Sequence, residues 1–233
     1  MIGTPHVHHR VTDSTNARAR ELALAGAPHG TLVTADEQTA GRGRQGRSWT
    51  AAPGDALLLS LLVRGVEPGA ALLPLAAAVA VCESLDPVEA AIKWPNDVWV
   101  ERRKVSGILL EGRPQEGWAV IGIGLNVRTR EFPEELRETA TSLALAGLDA
   151  SVREARAALV EALDRWIAAP ADEVLAAWRS RDALLGEPVR WQDGAGTTAG
   201  ISESGALIVE TAGGERVELD AGEVHLGTTE GGA

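Results

Sequence analysis

The sequence predicts an α/β (α+β) domain followed by a small all-β unit. Three observations predict it. Between residues 13 and 127, helical patterns alternate with short apolar runs of strand length. From residue 139, Ala-, Leu- and Glu-rich stretches recur at helical spacing. After Gly186, short strand-like runs alternate with Gly-rich turns, enough for a barrel of about 45 residues. The expected units are 1–186 and 187–233.

Each element has a local reason. Asp13-Ser14-Thr15-Asn16 offers helix caps, and Ala17, Ala19, Leu22 and Ala23 continue that helix. Gly26 and Pro28 end it. Residues 31–35 read as a strand. Residues 38–54 hold four glycines, three arginines and a proline with no acid, so they read as a loop. Residues 56–63 are a continuous apolar run, as in a buried strand, and 70–85 read as a buried helix. Strands follow at 90–94, 98–101, 105–111 and 118–127. Helices are expected at 141–146, 151–168 and 171–185. The last unit has strands at 187–191, 197–202, 206–211 and 215–219. Residues 1–10 read as a ragged start and the Gly-Gly-Ala end as frayed.

A chain of 233 residues buries about 70–75% of its extended-chain surface, so it needs no disulfide or metal staple. Its net charge of -11 argues against a general nucleic-acid or anionic-membrane binder. A single cysteine, Cys82, excludes disulfide frameworks, cysteine-ligated zinc and iron–sulfur clusters. Tyrosine is absent, so no tyrosine acts as acid or nucleophile. Residues 1–10 lack the apolar core of a secretory signal, and the longest apolar run, 70–82, is short of the about 20 residues that span a bilayer. The expected location is the cytoplasm.

The informative segment is Gly41-Arg42-Gly43-Arg44-Gln45-Gly46-Arg47-Ser48-Trp49. Its glycines let backbone approach a ligand, and its arginines offer forked donors to carboxylate and phosphate. It is not a phosphate loop, because no Lys-Ser/Thr pair follows. Nor does a helix open after it as in a dinucleotide fingerprint.

Five segments in order resemble the biotin–protein ligases. They are Asp13-Ser14-Thr15-Asn16, the 38–49 loop, Lys93-Trp94-Pro95-Asn96-Asp97, Lys104-Val105-Ser106-Gly107-Ile108-Leu109, and Gly122-Ile123-Gly124-Leu125-Asn126-Val127. The stretch 200–209 is similar to that family's small SH3-like barrel. The resemblance implies a mixed-sheet, class II synthetase-like catalytic domain. It implies two half-reactions. Biotin and MgATP give biotinyl-5′-AMP and pyrophosphate, and a lysine of a biotin carboxyl carrier domain of a carboxylase then takes the biotinyl group. Thirteen residues precede Ser14, too few for the DNA-binding winged helix of some members, so neither operator binding nor repressor activity is expected. A monomer or weak dimer, with no DNA or membrane partner, is the expected assembly.

Chemistry and resemblance together suggest roles. Two anions must meet, so cations are needed. Arg44, Lys93 and Lys104 are the catalytic candidates. By resemblance, Ser14, Thr15, Asn16 and Gln38 match the polar ureido ring of biotin, while Arg42, Gly43, Arg44 and Lys104 line the biotin and acyl-phosphate site. Gly107 would admit the valeryl chain. Arg42, Arg44, Arg47, Lys93 and Asn126 would face the nucleotide, with Trp49 over adenine. Asp97 is the candidate for the Mg²⁺ on ATP, since hard cations take carboxylate oxygens.

Other features have plainer readings. Cys82, Trp166 and Trp178 read as core, and for His29 and His225 no partner is visible in the sequence. His6 and His8 would share a face of a strand, but no further ligand pattern supports a metal there. Cys82 lies away from every glycine or lysine motif, which argues against the cysteine-using octanoyl transferases of the same superfamily. A lipoate ligase would carry a different glycine loop. A non-catalytic biotin binder would not need Lys93, Asp97 and Lys104 together.

Overall fold

A computed structural model describes residues 1–66, 71–220 and 224–227. Its larger sheet contains β1 (His6–Thr12), β2 (Leu32–Gln38), β3 (Ala56–Arg64), β4 (Ala91–Lys93), β5 (Asp97–Val100), β6 (Arg103–Arg113) and β7 (Trp118–Asn126). Their order across the sheet is β1-β2-β3-β7-β6-β5-β4. β1 and β2 are parallel and the other neighbours antiparallel, so the sheet is mixed, as expected. Parallel neighbours need a crossover, and α1 (Thr15–Leu24) supplies it.

Strand alternation gives the sheet two different faces. Leu57, Leu59, Leu61, Ile121 and Ile123 belong to the main core, beneath α2 (Leu73–Ser84), α3 (Val152–Trp166) and α4 (Ala171–Arg179). On the other face Leu62, Val33 and Val120 pack under Ala19 and Ala23 of α1. That second face also carries Ser60, Gly122 and Gly124. There the apolar layer stops and a recess begins.

α2 is buried at every residue from Leu75 to Cys82, which accounts for its unbroken apolar run. Burial pushes the Cys82 thiol up to about 12. Thiolate is the reactive form. The folded protein should therefore leave Cys82 unmodified by a thiol reagent at mildly alkaline pH, whereas urea-unfolded chain reacts fully. Stoichiometric labelling of the native protein would contradict this.

The structure corrects several expectations. Residues 6–12 form an ordered edge strand, not a ragged start: α1 returns the chain so that β1 lies along β2. His6 Nε2 and His8 Nδ1 both bond to Thr34 Oγ1, at 2.8 and 3.0 Å. His29 has a partner, accepting from the Arg64 amide at 3.2 Å. The helix expected at 141–146 is replaced by turns, because the Leu143 and Ala144 amides donate to Asn126 and Val127 carbonyls and prolong the edge of β7. α4 stops at Arg179, short of 185. The Ile92 amide donates to the Arg181 carbonyl at 2.7 Å, so the chain leaves the helix to lie beside β4. α2 begins at Leu73; Ala70, where its start was expected, lies outside the described residues, as does the Gly-Gly-Ala end. Trp166 and Trp178 are buried, as expected.

The smaller sheet is antiparallel, with β8 (Pro188–Trp191), β9 (Gly194–Ile201), β10 (Leu207–Thr211), β11 (Arg216–Leu219) and β12 (His225–Leu226) in the order β11-β10-β9-β8-β12. Among the described residues β11 and β12 do not pair, so the expected barrel is not closed by backbone bonds. The two sheets share one core: Val189, Ile201, Leu207, Val209 and Val224 join the cluster under the larger sheet. Trp94, 2% exposed, donates its Nε1 proton to the Gly205 carbonyl at 3.1 Å.

Candidate active site

The recess on the α1 face is bounded by the start of α1, the 41–49 loop and the 94–97 turn. Its floor is built from glycine. Gly107 and Gly124 face each other across β6 and β7, and Gly122 is the next residue on that face. A Cβ on Gly122 would stand 2.8 Å from Asn16 Cγ. Gly122→Ala should therefore displace Asn16, cost about 1–3 kcal/mol in urea unfolding and weaken ligand binding in a biotin titration. Wild-type values in both would show that the recess tolerates the methyl group.

Ser14 stands at the N-cap position of α1, yet its side chain makes no capping bond, although it is 4% exposed. Gln38 takes over part of that task. Its Oε1 accepts from the Thr15 amide at 2.7 Å and from Thr15 Oγ1 at 3.0 Å. The Gln38 amide is thereby oriented, with its NH₂ left for a ligand acceptor. Ser60 Oγ sits 2.8 Å from Thr15 Oγ1 and 2.5 Å from Asn16 Oδ1, linking the two side chains. Asn16 Nδ2 donates to Glu111 Oε2 at 2.8 Å. Asn16 is thus held by protein, whereas Ser14 and Gln38 keep groups for a ligand.

The basic loop closes on itself. Gly43 N donates to Arg47 O at 2.7 Å and Trp49 N to Gly41 O at 3.0 Å. Gln45 and Gly46 both take positive φ, 53° and 76°, so the backbone turns sharply between Arg44 and Arg47. Arg42 bonds to Glu111 and Arg44 to Asn96 Oδ1, at 2.9 and 3.3 Å. Asn96 is itself pinned by its Nδ2 bond to the Ile108 carbonyl, 2.8 Å. The Trp49 ring rests on Gly107 and Gly124, and a Cβ on either would meet it. Gly107 thus faces Trp49 and Lys104, the space expected to receive the valeryl chain.

Lys104 reaches the recess through a local irregularity. Register between β5 and β6 shifts between Val98 and Trp99, leaving Val105 as the extra residue. The bulge brings Lys104 to the face of Gly107, where alternation alone would point it to the other side. There its Nζ lies 2.7 Å from Asp97 Oδ1 and 5.7 Å from the Trp49 ring. Lys93 lies with its Nζ 5.5 Å from the Trp99 ring.

Two connected chambers result. A smaller one, about 200 Å³, is lined by Ser14, Thr15, Asn16, Gln38, Arg42, Gly43, Arg44 and Gly107, with Val224 and His225 entering from the smaller sheet. A wider one, about 1020 Å³, is bounded by Trp99, Asn126, Arg128 and the 129–133 segment. Arg47, Ser48, Trp49, Lys93, Asp97 and Lys104 line both. Asn126 is the one predicted site residue absent from the smaller chamber; its Nδ2 donates to the Thr141 carbonyl at 3.0 Å. The described residues contain no group of three His, Cys, Asp or Glu suited to a metal, and the Asp97 carboxylate is occupied by Lys104.

Some site residues were not anticipated. Ser60 carried a signal, as the one polar residue in an apolar run. Glu111 and His225 carried none. No helix among the described residues is long and apolar enough to cross a membrane.

Residues 8–127 match the model of the biotin/lipoate A/B protein ligase family. The chain belongs to that family. Residues 184–227 match the biotin protein ligase C-terminal domain, which is the smaller sheet. The bifunctional ligase/repressor BirA of Bacillus subtilis is 33% identical over 249 residues, covering 97% of this chain and 75% of its own length. The biotin–[acetyl-CoA-carboxylase] ligase of Mycobacterium tuberculosis is 38% identical over 236 residues, 92% of this chain and 86% of that one. The structure of a biotin protein ligase from Aquifex aeolicus in complex with biotin and ATP superposes with a TM-score of 0.83 at 32% identity, covering 97% of this chain and all of that one. The expected fold, family and ligase class therefore stand.

Proposed function

We propose that this chain is a biotin–protein ligase that makes biotinyl-5′-AMP from biotin and MgATP and transfers the biotinyl group to a lysine of a carboxyl carrier domain. The carrying observation is the junction of the two chambers, where two lysines and an arginine line both. A carboxylate from one chamber and an α-phosphate from the other would meet there.

The ureido ring goes to the smaller chamber. Ser14 Oγ and Gln38 Nε2 offer it polar partners, and Thr15 and Asn16 hold that wall in place. Its carboxylate points toward Lys104. Biotin's carboxylate oxygen attacks the α-phosphorus, the bond to the β-phosphate bridging oxygen breaks, and pyrophosphate leaves. Lys104, Lys93, Arg44 and Arg47 offset the negative charge that gathers there. Asp97 keeps the Lys104 ammonium aimed at the junction. Mg²⁺ enters as part of the MgATP substrate, on the phosphate oxygens. Trp49 forms the partition and packs against adenylate, and Asn126 secures the wall of the nucleotide chamber. In the second step the neutral carrier amine attacks the acyl carbon and AMP leaves.

The net charge of -11 supports a reading without a DNA partner. An ATP-consuming modification of a carboxylase suits the cytoplasm. The test is ATP-dependent transfer of labelled biotin to a carrier domain. Labelled carrier is expected; absence of biotin-dependent ATP–pyrophosphate exchange, or preference for octanoate or lipoate, overturns the assignment.

A further inference from the structure

At the edge of the smaller chamber stands a carboxylate that the reaction does not use. Glu111 lies on β6, on the face of Gly107 and Leu109. Its Oε2 accepts from Asn16 Nδ2 at 2.8 Å and Arg42 Nη2 at 2.9 Å, and its Oε1 lies 3.9 Å from Arg20 Nη1. One carboxylate therefore joins the first turn of α1, the core sheet and the entry to the basic loop. An acid beside an anion-handling chamber opposes the ligand unless it is neutralised, and two arginines neutralise it.

We propose that Glu111 is the positioning residue that keeps the basic loop closed over the smaller chamber, by fixing Arg42 and Asn16 through one carboxylate; the ligand named here rests on the biotin reading above. The bonds Gly43 N to Arg47 O and Trp49 N to Gly41 O shape the loop without attaching it to the sheet. Backbone bonds from Thr39 and Ala40 to the Thr12 and Asp13 carbonyls fix the segment just before the loop, and within it the side-chain attachments include Arg42 to Glu111, Arg44 to Asn96, and the Trp49 ring on its glycine floor. The bond from Arg42 to Glu111 is shorter than that from Arg44 to Asn96 and joins opposite charges. It also sits at the loop entry, beside Gly41 and Gln38. Arg42 is thus a tether, and Arg44 and Arg47 are the loop cations that face the reacting anions. Glu111 sets where those cations stand without touching the ligand.

The test uses the full chain and Glu111→Gln, which keeps the side-chain volume and removes the charge. In ATP–pyrophosphate exchange the biotin KM should rise about tenfold, the order that hydrogen bonds to a charged group supply, and by more than any fall in kcat. In ligand-free protein, trypsin should cut after Arg44 and Arg47 faster than in wild type. Arg42→Gln should give the same two shifts, and the double variant should be no worse than either single one. Additive effects of the two changes, a fall in kcat with KM unchanged, or wild-type KM and tryptic rates in Glu111→Gln would overturn the proposal. Should Glu111→Gln not fold, Arg42→Gln, at a side chain 38% exposed, decides by the same readouts. Wild-type protein without biotin-dependent exchange would overturn the ligand assignment, whereas the tryptic comparison needs no ligand and decides the tether separately.

Discussion

Lys104→Ala should lower biotin-dependent ATP–pyrophosphate exchange on the order of a hundredfold at saturating substrates, the usual loss when one preorganised charge-stabilising donor is removed. The Lys104 ammonium is held 2.7 Å from Asp97 and borders both chambers, so its removal takes positive charge from the junction where the proposed reaction would bring carboxylate and α-phosphate together. The Asp97 carboxylate would then face that point unpaired and add to the barrier. Asp97→Asn should do less harm, because the ammonium remains and only its aim is loosened. Arg44→Ala should cost roughly tenfold, with faster loss of bound biotinyl-AMP. Quench-flow measurement of adenylate formation separates these effects from binding. Wild-type exchange and product retention in Lys104→Ala and Arg44→Ala would refute the site.

Trp94→Ala should destabilise the protein by about 3–5 kcal/mol, read as a lower urea midpoint at unchanged slope. The indole is 2% exposed and joins the two sheets, with its proton on the Gly205 carbonyl. Around Gly205 the fit is tight: a Cβ there would lie 2.8 Å from Leu75 Cδ1. Trp94 also separates Lys93 from the 95–97 turn, so the same variant should lose exchange activity below its unfolding transition. Trp94→Phe keeps most of the packing and should cost roughly 1–2 kcal/mol through the unmatched carbonyl. A loss under about 1 kcal/mol in Trp94→Ala would show that the smaller sheet is not anchored through this residue.

Much of this was legible in the sequence because it is local. The apolar run at 56–63 is β3, and the alternation in Gly122-Ile123-Gly124-Leu125 already separates a smooth face from a core face. The basic loop was legible from residue types alone: no acid, spaced glycines, three arginines. Ser14 illustrates a limit. Its sequence context fits an N-cap, but Gln38, 24 residues away, bonds the Thr15 amide and leaves the hydroxyl unused. Residues 141–146 show the same limit in a helix pattern overridden by bonds to the end of β7. The β1 strand was missed because its identity depends on a parallel partner that α1 delivers.

The sequence by itself determined most of the elements and the cations available to the site, since these follow from residue type and short-range periodicity. Only the tertiary structure decided which of them meet. A one-residue bulge turned Lys104 to the face of Gly107, and Glu111 paired with Arg42 and with Asn16 of α1 through one carboxylate oxygen. It also brought Val224 and His225 of the smaller sheet to the chamber of Ser14. Such contacts join residues far apart in the chain, and their partners are set by strand register and sheet packing, which no local pattern encodes.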